Sequence, residues 1–158
     1  MEMEIELALS DMILRLVMAA ALASIIGLER ELRKRPAGLR THMLVSLGAA
    51  SFMLVGFEVL ASAAGDPAAQ IDPTRIVEGV IGGIGFLGAG SIIQSRGAIQ
   101  GITTGAAIWI AGAIGVACAT GDFVLAGLVT GIALVIVVVF GFFEHRVIYA
   151  DEEKGRPD

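Results

Sequence analysis

Away from its two ends the chain carries few charged residues, and three carboxylates among them, Glu58, Asp72 and Glu78, stand in or beside long apolar tracts. Carboxylate oxygens in a hydrated setting suit a hard cation such as Mg²⁺ better than a soft metal, so these three form a candidate cation site or entrance. Asp11, Arg15, Arg75 and Asp122 open neighbouring tracts, and the carboxylates of this set outnumber its two arginines. The competing reading is ion pairing. Arg75 and Glu78, three apart on one helix face, can pair with each other or reach Glu58 and Arg15 across helices. Pairing of some kind is expected, because an ionised group at the centre of a membrane helix costs about 2.5–3.5 kcal/mol. A second constellation is Gly27-Leu-Glu-Arg-Glu31 with Arg35-Pro-Ala-Gly-Leu-Arg-Thr-His42. Membrane anchoring explains Arg33, Lys34 and Arg35, but neither Glu29 beside Arg30 nor the turn before Thr41. His42, with no second histidine near it, reads as a hydrogen-bonding group at a helix start rather than a metal ligand. Gly83-Ile-Gly-Phe-Leu-Gly-Ala89 has the spacing of a dinucleotide fingerprint, but it lies in a membrane tract with no acid about twenty residues on, so that reading is rejected. No nucleophile–base pair or metal-ligand motif is present, so the chain is not read as an enzyme, and no cofactor is called for other than Mg²⁺ at the carboxylates.

The elements that hold these residues are membrane helices. Mean hydropathy is +0.82, hydrophobic residues make up 56% and charged residues 17% of the 158, and the charges are gathered into clusters separated by apolar tracts of membrane-spanning length. The net charge of -5 comes largely from the termini, and no basic patch interleaved with aromatics supports a nucleic-acid partner. The single cysteine, Cys118, excludes a disulfide within the chain and disfavours a thiolate cluster. The acidic N-terminus shows no removable signal.

Five spans are expected, from Met12 to Leu28, Thr41 to Ala64, Pro73 to Ile93, Gly101 to Ala119 and Phe123 to Phe143. Ser10 or Asp11 caps the first, Pro36 and Gly38 break the chain after it, Asp72 caps the third with Pro73 in the first helical position, and Asp122 caps the last. Residues 94–100 read as a short polar link. Arg30, Arg33, Lys34, Arg35, Arg40, Arg96, Arg146, Lys154 and Arg156 then fall on one side and Arg75 alone on the other. The expected architecture is an all-α transmembrane bundle with the N-terminus outside and the C-terminus cytoplasmic, residues 1–150 forming one domain and 151–158 a polar tail. A four-span alternative with a re-entrant third or fourth segment would split the positive loops, which argues against it. The stretch 72–90, rich in both charge and glycine, is expected at the centre of the bundle. Gly79 with Gly83, Gly101 with Gly105 and Gly127 with Gly131 permit close helix approach, within one chain or between protomers. Trp109, midway along the fourth span, is expected inside the bundle with its N–H seeking a partner.

The blocks Gly27 to Glu31, Arg35 to His42, Leu44-Val-Ser-Leu-Gly-Ala49, Asp72-Pro-Thr-Arg-Ile76, Gly83-Ile-Gly-Phe-Leu-Gly-Ala-Gly90 and Gly101-Ile-Thr-Thr-Gly-Ala-Ala107, followed by Trp109 and Ala113-Ile-Gly115, together resemble the bacterial MgtC/SapB membrane-protein family. They stand in family order over most of 28–121. The resemblance marks Glu29, Arg30, Arg35, Pro36, Gly38, Arg40, Asp72, Arg75, Gly83, Gly85, Gly88, Gly90, Thr103, Thr104 and Trp109 as motif residues. It implies a multi-pass protein of the bacterial inner membrane that serves adaptation to low Mg²⁺ and, in pathogens, virulence and survival inside macrophages. Members often carry the label of Mg²⁺ transporter, whereas the best-known ones are regarded as regulators, including of the membrane ATP synthase. The expectation is therefore a regulator that acts in the lipid bilayer through self-association or contact with another membrane protein; the alternative is a transporter or channel for Mg²⁺ or another cation that uses Glu58, Asp72 and Glu78. Longer members carry a cytoplasmic C-terminal domain resembling ACT modules, and functions lodged there are expected to be absent from this chain. Glu78 and Gly79 depart from the polarity the resemblance leads one to expect, which bears on what the charge cluster does.

Overall fold

The computed structural model describes residues 8–63, 72, 74–95 and 98–154. Five helices and a hairpin follow in chain order: α1 (Leu9–Leu32), α2 (Leu39–Ala63), α3 (Thr74–Gly90), β1 (Ile93–Ser95), β2 (Ala98–Gln100), α4 (Ile102–Thr120) and α5 (Phe123–Lys154). The expected Pro73 in the first turn of α3, Arg96 of the link and the end of the tail at 155–158 lie outside the described residues.

The centre of the bundle is α4. It carries no charged residue, nine of its residues are Gly or Ala, and 11 of its 19 residues are buried. A helix so thin and uncharged can be approached from several sides, and α4 packs against α1, α2, α3 and α5. A Cβ on Gly115 would run into the Ser46 carbonyl of α2, and Gly105 lies against the backbone of Gly88 in α3. Ser46 is fully buried and its Oγ donates to the Ala19 carbonyl at 2.9 Å, tying α2 to α1. The expectation that stretch 72–90 occupies the centre is thus corrected. In α3 only Val80, Ile84 and Gly88 are buried, and the helix lies at the edge against α2 and α4. Arg75 and Glu78, both exposed, keep the first turns of α3 from being buried on all sides.

The C-terminal end of α4 explains how two of its neighbours are fixed. Gly121, in the left-handed region at φ 83°, closes α4 with the Asp122 N–H on the Ala117 carbonyl and its own N–H on that of Cys118. Arg15 donates to the Ala119 carbonyl, which places a cation at the negative end of the helix dipole. Its other partner is Asp11, one turn earlier, at 2.8 Å. Asp11 therefore sits inside the first turn of α1, which begins at Leu9 without a side-chain cap, rather than serving as the expected cap. Asp122 does cap α5, accepting from the Leu125 N–H at 2.9 Å.

Among the described residues four helices, α1, α2, α4 and Phe123–Phe142 of α5, are long and apolar enough to cross a membrane. α3 has 17 residues, about 25 Å at 1.5 Å per residue against a hydrocarbon core of about 30 Å. It ends at Gly90 rather than continuing to Ile93, because the chain turns there into an antiparallel hairpin in which Ile93 pairs with Gln100 and Gln94 with Ile99. The polar link of 94–100 is thus a hairpin. The last helix outruns its expected span and continues through Lys154, so residues 151–154 of the tail are helical.

Candidate functional site

The buried charges of the described residues meet where α1 ends and α4 begins. The sequence 29–35 turns there because Lys34 takes a left-handed conformation at φ 54°. This lets the Lys34 and Arg35 N–H groups bond the Glu31 and Arg30 carbonyls and terminates α1. Ala37 is also left-handed. Gly38 leaves room for the Glu31 carboxylate, whose Oε2 accepts from the Leu39 N–H at 2.7 Å and so receives the start of α2. This is the fixed turn that charge balance alone could not explain.

With the turn set, Glu29 and Arg30 point inward and are 9% and 5% exposed. Arg30 Nη2 donates to Thr104 Oγ1 at 3.0 Å, joining the two motif blocks across 74 residues. Arg33 Nε stands 2.7 Å from Glu29 Oε1 as an ion pair. The pair does not meet hydrogen-bond geometry, so both Glu29 oxygens, like Arg30 Nε, are buried without a hydrogen-bond partner. Arg33 also reaches the Val138 carbonyl of α5. The result is a cavity of about 720 Å³ lined by Glu29, Arg30, Arg33, Arg35 and Pro36, by Ile99 to Thr104 at the start of α4, and by Ile136, Val137, Phe140 and Gly141 of α5. Beside it His42 is fully buried at the start of α2, its Nδ1 donating to the Gly38 carbonyl at 3.0 Å, as expected of a helix-start hydrogen-bonding group.

At the other end of the bundle the carboxylates behave differently. Asp72 Oδ1 accepts from the Thr74 N–H at 2.9 Å and the Thr74 hydroxyl at 2.7 Å, so it caps α3 as its type predicts. These two bonds, the hydroxyl's first, hold its carboxyl below the ordinary value. Glu58 and Glu78 are exposed. Among the described residues no three His, Cys, Asp or Glu side chains are gathered closely enough to hold a metal, so the structure does not bring Glu58, Asp72 and Glu78 together. Nor is there an ion pair between Arg75 and Glu78 among the described residues, and Arg15 is engaged by Asp11 and α4 instead. Arg75 lines an apolar groove of about 640 Å³ between α2 and α3, with Gly48, Gly79 and Gly83 among its walls.

Of the remaining motif residues, Arg40 is exposed, Thr103 lines the charged cavity, and Gly88 lies against Gly105. Gly83, Gly85 and Gly90 have open space where a Cβ would stand, as do Gly79, Gly127 and Gly131 of the expected pairs. Trp109 is 47% exposed rather than inside the bundle. It shares the outward face of α4 with Ile102 and Ala106, which the 3.6-residue period puts opposite the buried stripe. Two contacts of this site escaped sequence reasoning. Glu29 with Arg33 had a readable signal in its four-residue spacing; Arg30 with Thr104 had none, since nothing local links them.

A bundle of long apolar helices around an uncharged central helix rich in Ala and Gly, with its buried charges at one end, defines a polytopic helical membrane protein. The MgtC family model matches residues 16–146, and the chain belongs to the MgtC family. Among its relatives, the Escherichia coli (strain K12) protein named "Putative magnesium transporter YhiD" is 38% identical over 139 residues, which are 88% of this chain and 65% of that protein. Protein MgtC of Salmonella typhimurium (strain LT2) is 40% identical over 121 residues, 77% of this chain and 48% of that one. The Synechocystis protein slr0014 is 35% identical over 147 residues, 90% of this chain and 59% of that one. The chain thus spans about half to two thirds of the length of these relatives. No solved structure matches it.

Proposed function

We propose that this is a non-enzymatic protein of the bacterial inner membrane, with five spans, an outer N-terminus and a cytoplasmic C-terminus, that serves adaptation to low Mg²⁺ as a regulator. It acts by helix contact with another membrane protein or a second copy of itself. The membrane ATP synthase is the partner that the family resemblance offers first. The observation that carries this reading is the outward face of α3. Gly79, Gly82, Gly83, Gly85 and Gly90 have nothing within 4 Å of a Cβ position, and Phe86 beside them is 80% exposed. Small residues with a large apolar neighbour suit close packing against another helix, where lipid tails gain little from so bare a backbone. Transport is the competing reading, prompted by the name of YhiD, and would assign Glu58, Asp72 and Glu78 to an ion.

Two experiments test the proposal. Gly83→Leu, on the open face, is expected to abolish growth support in low Mg²⁺ at unchanged stability in detergent, whereas Gly105→Leu, against the Gly88 backbone, unfolds the protein. Full function in Gly83→Leu would remove the argument from α3. In liposomes enclosing a Mg²⁺-sensing dye, no flux above protein-free vesicles is expected under an imposed gradient and potential. Flux that disappears in Glu78→Gln would overturn the regulator reading in favour of transport.

A further inference from the structure

We infer that the cavity between the end of α1 and the start of α4 binds a phosphate group, presented by a phospholipid headgroup or by a soluble phosphate. The start of α4 is open to an anion. Gly101, left-handed at φ 92°, is its N-cap and supplies no side-chain hydrogen bond, so the first-turn N–H groups of Ile102, Thr103 and Thr104 need an acceptor from elsewhere. They lie at the positive end of the helix dipole and at the wall of the cavity.

The side chains add an independent reason. Arg30 lines the cavity, is 5% exposed, and its Nε is buried with no partner. A buried guanidinium donor left unused is costly, and an anion in the cavity would satisfy it. Arg33 and Arg35 line the same space against the single carboxylate of Glu29, so the lining carries three positive charges and one negative. Glu29 is held by Arg33 Nε at 2.7 Å, so Arg30 and Arg35 keep their charge for an anion. A phosphate fits this lining, its oxygens accepting from Arg30, Arg35, the Thr103 hydroxyl and the α4 N–H groups. Ile136, Val137 and Phe140 form an apolar wall beside this polar floor, and the volume of about 720 Å³ admits a phosphate with a glycerol-sized substituent.

The test uses the full chain purified in maltoside detergent. Equilibrium dialysis with radiolabelled inorganic phosphate measures the soluble arm. Native mass spectrometry with dioctanoyl phosphatidic acid, set against dioctanoylglycerol, which lacks the phosphate, measures the lipid arm. Saturable binding of one phosphate or one phosphatidic acid per chain is expected, with none of dioctanoylglycerol. It should weaken at least tenfold in Arg35→Gln and in Thr103→Val, whose side chains are exposed and leave the Arg30–Thr104 bond in place, at unchanged helicity by circular dichroism. Binding in both arms shows that phosphate alone suffices; binding in the lipid arm only assigns the site to a headgroup. No binding in either arm, or equal binding by the wild type and both variants, overturns the inference and leaves the regulator reading untouched.

Discussion

Gly115 and Gly127 are the same residue type in successive helices, yet only one is held by its surroundings. A Cβ on Gly115 would meet the Ser46 carbonyl and then the Ala49 side chain, whereas nothing lies within 4 Å of that position on Gly127. Gly115→Ala is therefore expected to destabilise the bundle by about 1–3 kcal/mol, because backbone must move to admit the methyl group. Gly127→Ala should leave stability unchanged or raise it by up to about 1 kcal/mol, since alanine is the better helix former. Unfolding midpoints in mixed detergent and SDS check both, and equal effects would show that Gly115 is not a close contact. Sequence reading recognised that glycines would mediate packing but could not say which. The pairs at 79 and 83 and at 127 and 131 are open, while Gly27, Gly88, Gly105 and Gly115 stand against the backbone of another segment.

Among the elements, α3 owes its start to one exposed carboxylate. The Asp72 pKa is lowered by the Thr74 hydroxyl and backbone N–H, so its capping contribution is complete above the ordinary carboxyl value of 3.8 and is lost as pH falls through the lower, folded-state value. Hydrogen exchange at the amides of residues 74–77, corrected for the intrinsic rate, is expected to accelerate below that pH and to lose this dependence in Asp72→Asn, which caps without titrating. A pH dependence that persists in Asp72→Asn would assign it to another group. This cap was legible in the sequence because it is local. The end of α3 was not, since Ile93 continues an apolar run and only its pairing with Gln100 marks it as strand.

Across the whole molecule, charge is sorted to two ends. Asp11, Arg15, Asp72, Arg75, Glu78 and Asp122 open helices at one end, while Glu29, Arg30, Arg33 and Thr104 meet at the other. The proposed topology puts that second end in the cytoplasm, on the strength of the excess of Lys and Arg between α1 and α2. A cysteine at Lys34 should resist an impermeant thiol reagent in intact cells and one at Ala68 should react, in a background where Cys118, fully buried, is silent. The reverse labelling would invert the proposed orientation, and equal labelling would break the proposed five-span topology.

Composition and local pattern by themselves determined that this is a helical membrane bundle, where most of its helices lie, and which residues cap α3 and α5. These properties depend on hydropathy over some twenty residues or on neighbours within a turn, both of which are written in order along the chain. Tertiary structure alone decided that α4 rather than α3 is central, that Trp109 faces outward, that Glu58, Asp72 and Glu78 do not converge, and that Arg30 meets Thr104. In lipid every helix surface is apolar, so hydropathy does not rank the helices for the centre; close backbone fit and buried polar partners do. Those are properties of pairs of residues far apart in sequence.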